Sequence, residues 1–256
     1  MTHKWPISGV IITLNAAHQL EPCLHSLASC SEIVVVDSGS TDGTQALAEA
    51  YGARVIHQEW LGFGAQKQFA TQQATQDWVL CLDADERIST ELHTSIDQLF
   101  SSLPPPLHAY DMPRCNRFMG RWLRHGEGYP DPNLRLFHKD QAHWSQDPVH
   151  EHVQTEGQVG RLKGDILHHS EESLESYLSK QNRYTTLQAQ QLAQGKPIAA
   201  HKIYLSPLFR FIKFYLIRRG FQDGLPGLVH ITVGCFNSFM KYAKTYARQQ
   251  QEIDTS

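Results

Sequence analysis

Two aspartates one residue apart, Asp83 and Asp85, follow the apolar run Trp78-Val-Leu-Cys-Leu82. A short apolar run bounded by polar residues predicts a strand buried on both faces, with its end held firmly. A carboxylate pair at such an end can hold a hard cation, Mg2+ or Mn2+, and the cation can in turn hold phosphate oxygens. The D-x-D spacing alone is weak, because a solvated turn or a helix cap has the same composition. Its place directly after a buried strand is what favours the metal. His168 and His169, after Asp165-Ile-Leu, offer a third ligand, His168 the candidate, although lone histidines more often pack.

A second carboxylate, Asp37, ends Glu32-Ile-Val-Val-Val and opens Ser38-Gly-Ser-Thr-Asp-Gly43. A carboxylate there can accept from a base N–H or a ribose hydroxyl, and the glycines let backbone approach a ligand. The structural alternative is an Asx turn capping the next helix, which Asp42 alone could serve. Thr13 and Asn15, at the end of Gly9-Val-Ile-Ile-Thr-Leu, could line the same pocket, or Asn15 could close a turn. Lys67 could reach a phosphate, with a surface lysine as the default. The nearby Gly62-Phe-Gly64 is a poor dinucleotide fingerprint, because no third glycine follows. His150-Glu151 contains the candidate general base, Glu151, for a hydroxyl proton; Asp147 is its rival. Arg183, in Gln181-Asn-Arg-Tyr184, could pair with phosphate from a helix, or simply face water.

The elements that must position these residues follow from pattern. Strands are predicted over 9–15, 32–37, 54–57 and 78–82. Helical stretches are predicted between them, and a helix from an N-cap at Ser89 to Phe100. This alternation predicts an α/β domain with a mostly parallel, Rossmann-like sheet. Ligands of such sheets bind beyond the carboxyl ends of the strands, where Asn15, Asp37 and Asp83 all fall. Ser101-Ser-Leu-Pro-Pro-Pro106 breaks the pattern. Short extended pieces are predicted at 109–113, 133–138 and 164–168, then helices over 173–194, 201–219 and 225–249. Three regions follow: 1–106 for the nucleotide, 107–195 for the acceptor side and the base, and 196–256 as a basic amphipathic helical tail.

Composition bounds the rest. The 256 residues carry a net charge of −3, 41% apolar content and five cysteines. The cysteine count is odd and no C-x-x-C occurs, which favours a reducing compartment over a disulfide framework or structural zinc. No signal peptide and no run long enough for a transmembrane helix is visible. The net charge hides an asymmetry: Lys196 to Arg248 holds nine Lys/Arg and one acid, Asp223, leaving 14 basic and 25 acidic residues elsewhere. Aromatic and aliphatic residues interleave with these cations, the pattern of helices lying in an anionic membrane interface. The alternative is a helical pair closing a core or a dimer face. Nucleic acid is not expected as a partner, and oligomeric state is not legible.

Taken together, Val10-Ile-Ile-Thr-Leu-Asn15, Val35-Val-Asp-Ser-Gly-Ser-Thr-Asp-Gly-Thr44 and Leu82-Asp-Ala-Asp-Glu-Arg87 resemble family-2 glycosyltransferases of the GT-A fold. Pro148-Val-His-Glu151, His168, Gln181-Asn-Arg-Tyr184, Gly220-Phe-Gln-Asp-Gly224 and Lys241-Tyr-Ala-Lys244 resemble its bacterial lipopolysaccharide inner-core branch. The resemblance implies a UDP-sugar donor, UDP-glucose, with a divalent metal and inversion at the anomeric carbon. It also implies a lipid-linked acceptor, an inner-core heptose, met at the inner face of the bacterial inner membrane by a peripheral cytoplasmic enzyme. By that match Asp37 contacts the uracil or ribose, Asp83-Ala84-Asp85 forms the diphosphate-metal motif, and Glu151 is the base. The family's Q-x-x-R-W signature is only partly echoed, because Tyr184 follows Arg183. A nucleotidyltransferase on a related sheet would need a glycine-rich basic loop after the first strand, where this chain has Asn15-Ala-Ala-His18. A non-catalytic nucleotide- or membrane-binding module is the other alternative.

Overall fold

Runs of Val, Ile and Leu place apolar side chains on both sides of a strand, because successive residues point to opposite faces. In the computed structural model this is how the sheet is buried. The structure describes residues 4–101, 104–147, 151–169 and 173–254. The first half runs β1 (Trp5–Thr13), α1 (Ala17–Ser26), β2 (Cys30–Asp37), α2 (Thr44–Ala50), β3 (Arg54–His57), α3 (Phe63–Gln72), β4 (Trp78–Asp83), β5 (Glu86–Ile88) and α4 (Thr90–Ser101). Next come β6 (Ala109–Phe118), β7 (Arg121–Trp122), β8 (Asp131–His138), β9 (Ala142–Trp144), β10 (Val153–Thr155), β11 (Val159–Arg161) and β12 (Ile166–His168). The chain ends with α5 (Leu174–Ala193), α6 (His201–Phe211), a π-helical turn Ile212–Ile217, a 3-10 turn Gly220–Asp223 and α7 (Gly224–Asp254).

Two compact units result, Met1–Cys115 with Asp131–His169, and Asn116–Pro130 with Ser170–Ser256. In the first, the strand order is β3-β2-β1-β4-β8-β6-β12-β5, with β11 beside β6. The four strands β3, β2, β1 and β4 are parallel, as the alternating pattern predicts. The sheet then continues with antiparallel pairs, β4 with β8, β8 with β6, and β12 with β5. One face packs Ile7, Ile11, Leu80 and Leu82 with α1 and α4 residues such as Leu20, Leu24, Leu92 and Ile96. The other packs Val10, Val34, Val79 and Cys81 with Ala70, Phe137 and Trp144. This two-sided burial is why the strands read as unbroken apolar runs. β9 and β10 form a separate antiparallel pair. All five cysteines are free thiols.

The second unit is helical, with α5 and α6 both packed on α7. Lys244 of α7 donates to the Asn182 carbonyl and side chain and to Thr185 and Thr186 of α5. The buried Asp223 accepts from the backbone N–H groups of Arg124 and His125 at 3.0 and 2.8 Å. The Gly220–Gly224 and Lys241–Lys244 motifs thus hold this unit together. Helix α5 belongs here, next to the basic helices rather than in the unit that carries Glu151. Among the described residues no helix is long and apolar enough to cross a membrane.

Candidate active site

Parallel pairing sets the floor of the site. Thr13 lies opposite Asp37, and Ile12 opposite Asp83, so both carboxylates sit at strand ends on either side of β1. This is the crevice where α/β sheets bind ligands.

On the β2 side, Asp37 is fully buried. Its Oδ1 accepts from Gly39 N at 3.0 Å, Ser40 N at 2.8 Å and Gln45 Nε2 at 2.6 Å. Its Oδ2 accepts from Thr13 Oγ1 at 2.9 Å and from the Ser40 hydroxyl. A carboxylate offers about four lone-pair sites, so five protein donors saturate it. Burial opposes ionisation, but the bonds from Ser40, Gln45 and Thr13 outweigh it and hold the carboxyl below its usual range. Asp42 does the capping: its Oδ2 accepts from Ala17 N and its Oδ1 from Thr44 N. Asn15 is exposed, has a left-handed backbone with φ of 51°, and accepts from Thr41 N at 2.9 Å, closing the turn. Gln66, also buried, donates to Ser38 Oγ and accepts from Leu61 N, tying α3 to this loop.

On the β4 side, Asp83 ends the strand and the buried Ala84 turns the chain to Asp85. Lys67 is 5% exposed, not the surface lysine that sequence alone suggests. Its Nζ stands 2.9 Å from Asp83 Oδ1 and 2.9 Å from Glu151 Oε1. The candidate base and the first aspartate of the pair therefore meet on one ammonium. Arg135 Nη2 holds the other Asp83 oxygen at 3.2 Å and Glu86 Oε1 at 3.3 Å. Burial opposes ionisation of Asp83, but Arg135 and Lys67 outweigh it and hold the carboxyl well below the usual range. Glu86, 1% exposed, accepts from Asp83 N at 3.0 Å. The Trp144 ring lies under both cations, its centroid 4.9 Å from Lys67 Nζ and 5.5 Å from the Arg135 guanidinium carbon. Arg135, Glu86 and Trp144 escaped the sequence reading. Arg135 leaves one trace, a charge inside the apolar Leu134-Arg-Leu-Phe137.

Asp85 faces a different partner. Antiparallel pairing of β12 with β5 sets His168 opposite Glu86, and His168 Nε2 lies 3.0 Å from Asp85 Oδ2. Both side chains keep about a quarter of their surface exposed, 25% for Asp85 and 22% for His168. One carboxylate oxygen and one imidazole nitrogen at this separation fit Mn2+ or Mg2+, which take further ligands from diphosphate oxygens and water. Among the described residues no three His, Cys, Asp or Glu side chains form such a site by themselves. Asp83 is committed to its two cations.

A cavity of about 330 Å³ opens beside Glu151, lined by Asp111, Asn133, Arg135, Trp144 and His152 among others. Arg135 Nη1 is buried with no hydrogen-bond partner among the described residues. The rival base Asp147 is 53% exposed and pairs with His152 at 3.5 Å. Pro148, Val149 and His150 lie outside the described residues. Arg183 belongs to the second unit, on an exposed face of α5.

The family model "Glycosyl transferase family 2" matches residues 8–155. The chain is 35% identical over 262 residues to the lipopolysaccharide core biosynthesis glycosyltransferase LpsC of Rhizobium meliloti, covering 97% of this chain and 94% of that protein. An uncharacterized glycosyltransferase of Rickettsia felis is 32% identical over 257 residues, covering 93% and 88%. Among solved structures, S. aureus TarS 1–349 in complex with UDP-GlcNAc aligns over 98% of this chain and 92% of that one, with 14% identity and a TM-score of 0.47.

Proposed function

Because this chain belongs to glycosyl transferase family 2, we propose that it transfers a hexose, glucose from UDP-glucose, with inversion to an inner-core heptose of lipopolysaccharide or a similar lipid-linked glycan. The observation that carries this reading is the meeting of Asp83 and Glu151 on Lys67, a donor-side and an acceptor-side carboxylate in one cleft. The lipopolysaccharide core named for the 35% identical relative supports the acceptor class.

In this reading Glu151 takes the proton of the acceptor hydroxyl as its oxygen attacks the anomeric carbon. The cavity beside Glu151, which Arg135 also lines, seats the acceptor. Asp85 and His168 would hold the divalent ion, which supplies positive charge to the departing diphosphate. Lys67 and Arg135 add positive charge on the same side. Thr13 and Asp37 shape the Ser38–Gly43 loop for the nucleoside, and a ribose hydroxyl or uracil N–H would take the place of Ser40 or Gln45 on Asp37. Arg183 lies on the exposed face of α5, in the second unit.

The same unit carries exposed Tyr204, Phe209, Leu216, Ile217 (72% exposed) and Leu225 among Lys202, Lys213, Arg218 and Arg219. This apolar and cationic face suits the anionic cytoplasmic surface of the inner membrane, where a lipid-linked acceptor is found.

The test is transfer from UDP-glucose with Mn2+ to isolated lipopolysaccharide core lacking its hexoses. Glu151→Gln should lower turnover by about 10² to 10⁴, the usual contribution of a general base. Asp85→Ala should abolish metal-dependent transfer. Full turnover by Glu151→Gln would remove the base assignment, and mass analysis of the product identifies the hexose and its attachment.

A further inference from the structure

Gly62-Phe-Gly64 and Lys67 sit at the start of α3, and the donor reading by itself does not explain why the lysine is buried between two acids. The Gly64 position is forced: a Cβ there would stand 2.2 Å from the Ser145 carbonyl oxygen and 3.5 Å from Glu151 Cβ. Helix α3 therefore packs directly on the segment leading from β9, and Lys67, three residues on, reaches both carboxylates.

The two ion pairs are unequal. Asp83 keeps Arg135 if Lys67 leaves. Glu151 has Lys67 as its one charged partner among the described residues. An ammonium is a compact charge on a flexible stem and can exchange anionic partners by rotating that stem. A diphosphate held near Asp83 and Asp85 would present more negative charge than either carboxylate.

We propose that Lys67 changes partners when the nucleotide diphosphate binds: its ammonium leaves Glu151 for a diphosphate oxygen, and the freed carboxylate becomes available to the acceptor hydroxyl. This rests on the donor reading above. Lys67 is thus a positioning residue that keeps the base engaged until the donor is seated.

Calorimetric titration of UDP with Mn2+ into the full chain tests this in four proteins: the wild type, Glu151→Gln, Lys67→Met and the double variant. If Lys67 must leave Glu151, Glu151→Gln removes its competitor and tightens UDP about 3- to 10-fold, within the range of a charged hydrogen bond. Lys67→Met weakens UDP by about 10-fold or more. In the Lys67→Met background, Glu151→Gln changes nothing. Lys67→Arg, which keeps the charge, restores UDP binding to within a few-fold of wild type. A gain from Glu151→Gln that persists without Lys67 is plain charge removal and overturns the exchange. So does unchanged or weaker UDP binding by Glu151→Gln, which is isosteric and can be judged even if Lys67→Met does not fold. Failure of the wild type to bind UDP at all sinks the donor reading beneath it; normal UDP binding without the exchange pattern sinks this inference alone.

Discussion

Single residues here act mostly by whom they are bonded to. Asp37 illustrates it: the sequence places it correctly at the end of a buried strand, yet its first task is to bind five protein donors. Because its folded carboxyl is held below the unfolded value of about 3.9, it contributes stability that is fully present above that value. That contribution is lost as pH falls through the lower, folded value. Asp37→Asn should therefore melt at lower temperature at pH 7 and show a shallower loss of melting temperature below about pH 4. Circular dichroism melts from pH 3 to 7 check both limbs; parallel curves for the two proteins would refute it. Lys67 shows the opposite case, a residue whose type was noted but whose burial was not. Nothing within ten residues of it announces two acids.

At the level of elements, α3 is the piece that makes the site. It carries Gln66 toward the Ser38–Gly43 loop and Lys67 toward Asp83 and Glu151, and Trp144 N donates to its Gln68 at 2.8 Å. Its close approach to Ser145 needs a hydrogen at position 64. Gly64→Ala meets backbone there, so it should cost about 1–3 kcal/mol and weaken UDP binding by moving Lys67. Gly157→Ala is the control, since its Cβ would meet only Thr155 Oγ1 at 3.6 Å, an ordinary contact. Thermal melts of the pair, with UDP titrations, check this; equal stability and affinity for the two variants would show that α3 has slack. The short strands β5, β9, β10 and β11 were not legible, because three-residue pieces carry no readable period. β5, paired with β12, nonetheless sets the register that brings His168 to Asp85.

For the molecule as a whole, the division of labour between two units follows charge. The first unit carries the paired acids and the cleft; the second carries the basic, aromatic helices. Several of these helical residues also build that unit's interior, so truncating the tail would strip α7 from α5. Surface substitution is the cleaner probe. Phe209→Glu with Ile217→Glu should abolish sedimentation with anionic phospholipid vesicles while leaving the melting temperature within about 2 °C, because exposed changes cost little. Binding by the wild type should fall as salt is raised. Undiminished sedimentation of the double variant would place the lipid contact elsewhere.

Local composition was enough to define the four parallel strands, the carboxylates at their ends, most helices, the basic tail and the family resemblance. Each strand end and short motif is written within a dozen neighbouring residues, where periodicity and chain direction act. The partnerships within the site were decided only by the tertiary structure. Lys67 and Glu151 are 84 residues apart, and Asp83 and Arg135 are 52 apart. Which cation meets which acid depends on how an antiparallel extension is paired to a parallel sheet and on how closely one helix packs on one strand. Those contacts are long-range, and no local pattern encodes them.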